Sequence, residues 1–200
     1  NFKINKYIAL DSLLKISGTS KSLETDDLGY LIGPIINAGG RLGYSKLGVE
    51  LLTSNDPNIV KLKSQKLFDL NNKRKKIEKN ILNEINFKQI EIENKNIIIY
   101  YNPNINEGLI GIIAARLKEH FNKPSIVITK SNNILKASAR STNSYNIGRV
   151  VKVLKDKKII EKGGGHNMAA GFTIKKDNIK ILDSFIQKDF SNKTHNSDLT

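Results

Sequence analysis

The sequence predicts an α/β (α+β) protein, in which a small mixed β-sheet domain with flanking helices follows short helices and a long connecting helix. Three observations support this class. Short helical segments separated by glycine fill the chain as far as residue 55. An unbroken helical pattern then begins at Asp56-Pro57. From about residue 96, apolar runs of strand length alternate with segments of helix length.

The first part of the chain is predicted as short helices joined by loops. Apolar residues at helical spacing predict a helix over 7–16. A second helix is expected from Thr25 to the Gly33-Pro34 pair, and a third over 45–52. Between them, the run 37–43 contains three glycines and is predicted as an irregular loop.

One long helix is predicted from about 57 to 88. Asp56 is a suitable N-cap residue, Pro57 suits the first turn, and no glycine or proline follows until Pro103. The charged residues from Lys73 to Lys79 are expected on its solvated outer face. A single long helix between two regions is more typical of a connector than of a binding device.

The remaining segments alternate between strand and helix patterns. Strands are predicted over 97–101, 125–129, 134–139 and 168–174, and helices over 107–121, 145–154 and 178–190. Asn106 is the predicted cap of the first of these helices. A turn at 131–133 joins two strands as a hairpin, and 163–166 is predicted as a loop.

Composition limits the classes of protein. The 200 residues carry a net charge of +14 and contain no cysteine, which excludes disulfides and thiolate metal sites. The charge favours a polyanionic partner, although a chain rich in Lys, Ile and Asn is also what an AT-rich genome produces. No apolar stretch reaches membrane-helix length and no signal peptide is present, so a cytoplasmic location is expected.

Three segments have residues suited to phosphate. Gly163-Gly164-Gly165-His166 combines accessible backbone amides with an imidazole, but it also suits a flexible turn before a strand. Ser138 and Arg140 share one face of a strand end, either as a phosphate clamp or as ordinary exposed polar residues. Arg41 follows two glycines and either projects from a tight loop or belongs to a helix-breaking connector.

The acidic clusters of a metal-dependent nuclease are missing from the sequence. There is no Asp-x-Asp, Asp-His-His or His-x-x-His pattern, and Asp26-Asp27 is the only pair of adjacent acidic residues. Two catalytic cations need several such ligands close together. We therefore expect no metal site in these residues.

Five segments, in chain order, resemble signatures of the RecJ exonucleases of the DHH phosphoesterase superfamily. They are Gly-Pro-Ile-Ile-Asn-Ala-Gly-Gly-Arg-Leu-Gly (33–43), Asn-Asn-Lys-Arg-Lys-Lys-Ile-Glu (71–78), Glu-Gly-Leu-Ile-Gly-Ile-Ile-Ala-Ala-Arg-Leu (107–117), Ser-Ala-Arg-Ser (138–141) and Gly-Gly-Gly-His-Asn-Met-Ala-Ala-Gly (163–171). Departures from the family pattern occur at Ile35, Gly39 and Ile105-Asn106. These positions lie outside the matched phosphate-binding residues.

The resemblance implies a domain plan and a function. The plan is the tail of a DHH domain (1–55), a connecting helix (56–90), a DHH-associated domain (91–190) and a polar tail (191–200). The implied function is the nucleic-acid-binding part of a 5′→3′ single-stranded-DNA exonuclease in DNA repair and recombination. Mn²⁺ or Mg²⁺ is expected in the N-terminal DHH domain, which lies upstream of this chain, so the chain alone is expected to be inactive.

The resemblance also implies residue roles and partners. It carries His166 over as the catalytic residue, and it implies phosphate contacts by Arg41, Ser138, Arg140, Gly164 and Gly165. The expected partners are single-stranded DNA and the protein's own DHH domain, with a single-strand-binding protein or helicase as further candidates. Two alternatives stay open: a phosphodiesterase for oligoribonucleotides, phosphoadenosine phosphate or cyclic dinucleotides, and a non-catalytic RNA-binding module.

Overall fold

The computed structural model describes residues 7–19 and 24–197, with side chains described as far as residue 192. The chain divides into two units, Asn1–Asn80 and Ile81–Thr200. Each unit has its own cluster of buried apolar side chains, one drawn from residues 9–70 and the other from residues 97–186. The mixed α/β class predicted from the sequence is confirmed.

The described part of the first unit is helical. Its elements are α1 (Ile8–Ile16), α2 (Thr25–Asp27), a π-helical segment (Leu28–Ile32), α3 (Gly33–Arg41), α4 (Lys46–Thr53) and most of α5 (Pro57–Glu84). The predicted helices over 7–16 and 45–52 are confirmed to within a residue or two. Gly18, at a φ of 73°, follows the end of α1, where a left-handed residue commonly ends a helix.

The predicted irregular loop over 37–43 is wrong, because α3 continues to Arg41. Pro34 does not end the helix: it lies in the first turn of α3, where its missing N–H needs no partner. The π-helical segment before it widens the turn into which the proline ring would otherwise press. Gly39 is buried, and a Cβ there would lie 2.8 Å from the carbonyl oxygen of Tyr44.

The predicted helix over 57–88 is interrupted. Helix α5 ends at Glu84, and a separate helix α6 (Phe87–Glu93) begins after Asn86, whose side chain accepts a hydrogen bond from the Gln89 amide at 3.1 Å. Asparagine is a strong N-cap residue, so it favours a new helix start over continuation. Asn86, which was predicted to lie inside one long helix, therefore separates two helices.

The middle of α5 carries a buried polar network that the expected solvated face did not include. Arg74 and Glu78 are buried and form an ion pair at 2.6 Å, and Arg74 also donates to the Asn71 side-chain oxygen at 3.0 and 3.2 Å. Three- and four-residue steps place these residues on one side of the helix. The buried positions of α5 at this spacing are Val60, Ser64, Leu67, Asn71, Arg74, Glu78 and Ile81.

The second unit is built on a five-stranded mixed sheet. Its strands are β1 (Ile98–Tyr101), β2 (Ser125–Ser131), β3 (Ile134–Arg140), β4 (Lys162–His166) and β5 (Ala169–Ile174), in the order β1-β2-β3-β5-β4. Strands β1 and β2 are parallel and joined through α7 (Ile110–Phe121), whereas the other pairs are antiparallel. Two further helices are α8 (Ile147–Asp156) and α9 (Ile179–Ser197).

The two faces of this sheet differ in what covers them. On the face that we call the core face, Ile126, Ala137 and Phe172 pack with apolar residues of α8 and α9. On the opposite face, which we call the α7 face, helix α7 packs against β2 and β3. Because side chains alternate along a strand, Ser138 and Arg140 lie on the α7 face.

Several predicted boundaries in the second unit are corrected. The segment 163–166 is not a loop, because it pairs with β5 along its whole length as β4. Asn106 does not cap α7: its side chain accepts from the Gly108 amide, and the helix begins only at Ile110. Asn146 caps α8 by accepting from the Arg149 amide at 2.9 Å. The last helix extends to Ser197, into the segment predicted as a polar tail.

Candidate phosphate-binding site

The structure brings Ser138, Arg140 and His166 together on the α7 face. Strand β5 lies between β3 and β4, and Arg140 pairs with Ala169, which in turn pairs with His166. Residues directly opposite each other in adjacent antiparallel strands project from the same face. In the same way, Ser138 pairs with Gly171, and Gly171 pairs with Gly164.

Arg140 is half-buried with only part of its guanidinium engaged. Its Nη1 donates to Ser138 Oγ at 3.2 Å and to the Ala139 carbonyl oxygen at 2.8 Å. Burial lowers the pKa of Arg140, but an arginine side chain stays protonated in proteins. Among the described residues, Nε and Nη2 donate to no protein acceptor.

Gly111 of α7 leaves space for this arginine. A Cβ at position 111 would lie 2.9 Å from Arg140 Nη2 and 3.2 Å from Ser138 Oγ. Contacts that short displace one of the partners. Gly111 therefore permits α7 to pass closely over the arginine and the serine without displacing either. The sequence contained this glycine in the 107–117 segment, but nothing in its helical pattern connected it with Arg140.

The glycines of β4 play unequal parts. A Cβ at Gly163 would lie 2.7 Å from Phe172 Cβ, and one at Gly165 would lie 2.4 Å from the Ala169 carbonyl oxygen. These two positions are glycine because the strand packs tightly. At Gly164, which is exposed on the α7 face, a Cβ would meet nothing within 4 Å.

His166 is held at the end of β4. Its Nδ1 accepts a hydrogen bond from the Met168 amide at 3.4 Å, so in the neutral ring the proton is on Nε2. A Cβ at Gly148 in α8 would lie 2.9 Å from both the carbonyl carbon and oxygen of His166, so α8 approaches this backbone closely. The following turn is anchored by the Ile147 amide, which donates to the Asn167 carbonyl oxygen at 3.2 Å.

Arg41 lies in the first unit, as the last residue of α3. It is half-buried, and the next residue, Leu42, closes the helix by donating to the Ala38 and Gly39 carbonyl oxygens at 3.2 Å. The cluster on the sheet belongs to the second unit. The predicted phosphate contact of Arg41 stays a prediction.

The donor set on the α7 face suits an anion. It combines a guanidinium, a hydroxyl, an imidazole Nε2–H and exposed glycine backbone, which together recognise phosphate oxygens. Among the described residues, no group of three or more His, Asp or Glu side chains could hold a metal ion. Within residues 7–19 and 24–197, no helix is long and apolar enough to cross a membrane.

Comparison with known proteins connects the chain to a family. The sequence profile of the DHHA1 domain matches residues 94–192. The single-stranded-DNA-specific exonuclease RecJ of Haemophilus influenzae is 35% identical over 161 residues, which cover 76% of this chain and 28% of that protein. The protein of the same description from Dickeya dadantii is 33% identical over 186 residues, covering 88% and 32%. The chain therefore spans 32% or less of the length of these two relatives.

Solved structures agree on the fold. The crystal structure of RecJ from Thermus thermophilus in complex with Mn²⁺ superposes with a TM-score of 0.81 at 23% identity, over 93% of this chain and 27% of that one. A structure of exonuclease RecJ bound to manganese gives a TM-score of 0.70, over 94% of this chain and 44% of that one. The chain therefore contains a DHHA1 domain and is similar over most of its length to RecJ single-stranded-DNA-specific exonucleases.

Proposed function

We propose that this chain is the substrate-gripping part of a 5′→3′ single-stranded-DNA exonuclease. The observation that carries the proposal is the meeting of Ser138, Arg140 and His166 on one sheet face beside exposed glycine backbone. The two relatives reported above are named single-stranded-DNA-specific exonucleases. Phosphate recognition at this face is the contribution that such an enzyme would need from this domain.

Each side chain has a distinct role in the proposed site. Arg140 binds a phosphate, including the 5′-phosphate, through Nη2 and Nε, and Ser138 adds a hydroxyl donor beside it. His166 donates from Nε2 to a phosphate oxygen next to the scissile bond, where negative charge grows during attack. Gly164, which is open on the α7 face, lets the substrate approach the β4 backbone, and the backbone of the neighbouring Gly165 is a further proposed phosphate contact. Arg41 of α3 is proposed as a further phosphate contact.

The first 55 residues are proposed as the tail of a DHH domain. A connecting segment, made of α5 and the start of α6, follows to about residue 90, and the DHH-associated domain extends to 190. Most of the exposed large apolar side chains in the described residues lie before position 63: Tyr7, Ile8, Leu28, Tyr30, Tyr44, Val49, Leu52, Ile59 and Leu62. We propose that part of this exposed apolar surface packs against further protein. A DHH domain, with Mn²⁺ or Mg²⁺ as its metal, is the proposed neighbour.

The same proposal sets the biological context. A single-stranded-DNA exonuclease of this kind would act in DNA repair and recombination in the cytoplasm, alongside single-strand-binding proteins or helicases. The catalytic metals would be bound by the DHH domain, so we expect the 200-residue chain to show no hydrolysis with Mn²⁺ or Mg²⁺. Release of mononucleotides by this chain alone would contradict the domain assignment.

The test is binding of fluorescent oligo-dT, with a 5′-phosphate or a 5′-hydroxyl, across a salt series. We expect the 5′-phosphate to raise the affinity of the wild-type chain for oligo-dT about tenfold. Arg140→Ala should remove this gain. Arg140→Lys should also lose most of it, because lysine keeps the charge but not the planar fork. Arg116→Gln, which removes an exposed α7 arginine, is the matched control.

The outcomes separate a site from a general charge effect. Equal affinity of the two strands in every variant, falling only with salt, would mean that the +14 charge explains binding. That result would contradict the proposed function. Repeating the series with oligo-U tests the RNA alternative, since a clear preference for RNA over DNA would favour an RNA-binding role.

A further inference from the structure

A third row of side chains lies on the α7 face beyond the proposed phosphate site. The pairing of β3, β5 and β4 sets Lys136 opposite Thr173 and Thr173 opposite Lys162. We call this the Lys162 row. The row of Arg140, Ala169 and His166 is the His166 row, and the row of Ser138, Gly171 and Gly164 between them is the glycine row. Residues within a row share a face because each pair is directly opposite, and the three rows share that face because they are two residues apart along each strand.

The fold does not require glycine at either glycine position of the glycine row. A Cβ at Gly164 would meet nothing within 4 Å, and one at Gly171 would meet only the Ala137 carbonyl oxygen, at an ordinary 3.7 Å. Neither glycine has a left-handed φ. Glycine in a strand weakens the strand and often marks close approach by a ligand. Both positions would accept alanine without strain, so their open surface is free to receive another molecule.

The Lys162 row supplies a cation at the far side of this opening. Lys162 is exposed and has no ion pair or hydrogen bond of its side chain within the described residues. Lys136, in contrast, donates to Glu107 at 2.6 Å, and this hydrogen bond is the main cause of the lowered pKa of Glu107. Glu107 also accepts a hydrogen bond from Ser131. The cation of this row that is not neutralised by a carboxylate in the described structure is therefore Lys162.

The distance between the outer rows exceeds the size of one phosphate. His166 and Lys162 are four residues apart on β4, which corresponds to about 13 Å along an extended strand. A single phosphate at the His166 row cannot also contact Lys162. A ligand that reaches both rows must extend across the glycine row and carry more than one phosphate.

We propose that Lys162 is a second phosphate contact, so that the α7 face binds an oligonucleotide laid across the glycine row. The 5′-phosphate lies at the His166 row, the sugar-phosphate chain passes over Gly164 and Gly171, and a later phosphate meets Lys162. The inference rests on the proposed function and adds Lys162 to the residues that bind the single-stranded substrate. A mononucleotide or a compact diphosphate would fill only one end.

The experiment compares thymidine 5′-monophosphate with 5′-phosphorylated dT4 as ligands of the 200-residue chain. The wild-type protein should bind dT4 more tightly. Lys162→Gln should weaken dT4 binding about threefold to fivefold at low salt and leave the monophosphate unchanged. Lys180→Gln, which removes another exposed lysine on α9, is the matched control and should change neither. Equal losses in both lysine variants would reduce the effect to overall charge and overturn the proposal.

A second variant tests the glycine row without removing charge. Gly171→Val should keep the thermal midpoint at or above the wild-type value, yet weaken dT4 binding at least as much as Lys162→Gln. Unchanged dT4 affinity in a folded Gly171→Val protein would overturn the path across the glycine row. If the wild-type chain prefers a 5′-phosphate but Lys162→Gln binds dT4 as tightly as the wild type, only the contact by Lys162 is contradicted. If the wild-type chain shows no preference for a 5′-phosphate, the proposed function itself is contradicted.

Discussion

The two faces of the sheet in the second unit show how one short strand can serve packing and binding at once. On the core face, Gly163 and Gly165 press against β5 so closely that a Cβ would collide with backbone or with Phe172. On the α7 face, Gly164 and Gly171 stand in open space. In β4, Gly163 and Gly165 are therefore needed for close packing, whereas Gly164 leaves the surface open. Substitutions at these positions can separate effects on stability from effects on binding.

The largest expected effect is at the core face. Gly165→Ala would place a methyl group 2.5 Å from the Cα of Ala170, against backbone that cannot move without breaking the β4–β5 pairing. We expect a loss of about 3 kcal/mol or more in the free energy of unfolding, measured by urea denaturation. Gly164→Ala is the matched control and should change stability by no more than about 0.5 kcal/mol. Similar losses in both variants would contradict the distinction between the faces.

A smaller effect is expected where α8 and α9 close the core face. The Tyr145 ring is buried against Phe190, and its hydroxyl donates to Asp189 at 3.0 Å, while Asp189 also binds Arg149. Tyr145→Phe should cost about 1–2 kcal/mol in urea denaturation, because a partly buried carboxylate loses a donor. Tyr30→Phe, at a position that is 86% exposed, should cost almost nothing.

The same tyrosine predicts a pH dependence. Burial, followed by the charge of and the hydrogen bond to Asp189, raises the pKa of Tyr145. The folded state thus favours the protonated phenol, and this contribution is complete below the unfolded pKa of about 10 and lost as pH rises above it. Wild type should therefore lose stability above about pH 10 more steeply than Tyr145→Phe. Parallel curves for the two proteins would show that the hydroxyl is not coupled to folding.

The smallest effect on stability, with a clear effect on binding, is expected at the α7 face. Gly111→Ala would bring a methyl group against the movable end of Arg140, so the arginine should shift while the fold persists. Alanine also favours a helix over glycine by about 1 kcal/mol, so the thermal midpoint should not fall. The preference for a 5′-phosphate should drop as in Arg140→Ala. An unchanged preference would mean that the arginine binds phosphate from another position.

Much of the fold followed from local pattern. Helical spacing located α1, α4 and α7 closely, and the strand alternation alone placed Ser138 and Arg140 on one face. The predictions failed where a residue type has two uses. Glycine in the 37–43 run was interpreted as loop but packs inside α3, and the charged stretch of α5 was interpreted as solvated although Arg74 and Glu78 are buried. Gly39 contacts Tyr44 and Leu67, which the local pattern does not show. The Arg74–Glu78 pair is local, but its burial is a property of the tertiary packing.

The sequence by itself determined the kinds of element, their order and the residues suited to phosphate, because backbone periodicity and side-chain chemistry are local properties. Tertiary structure alone decided that His166 stands beside Arg140, since this depends on the register by which β5 pairs with both β3 and β4. It also decided which glycines are required, because a missing Cβ matters only where another atom would occupy its place. Local geometry determines the direction of a side chain, and packing determines what it meets.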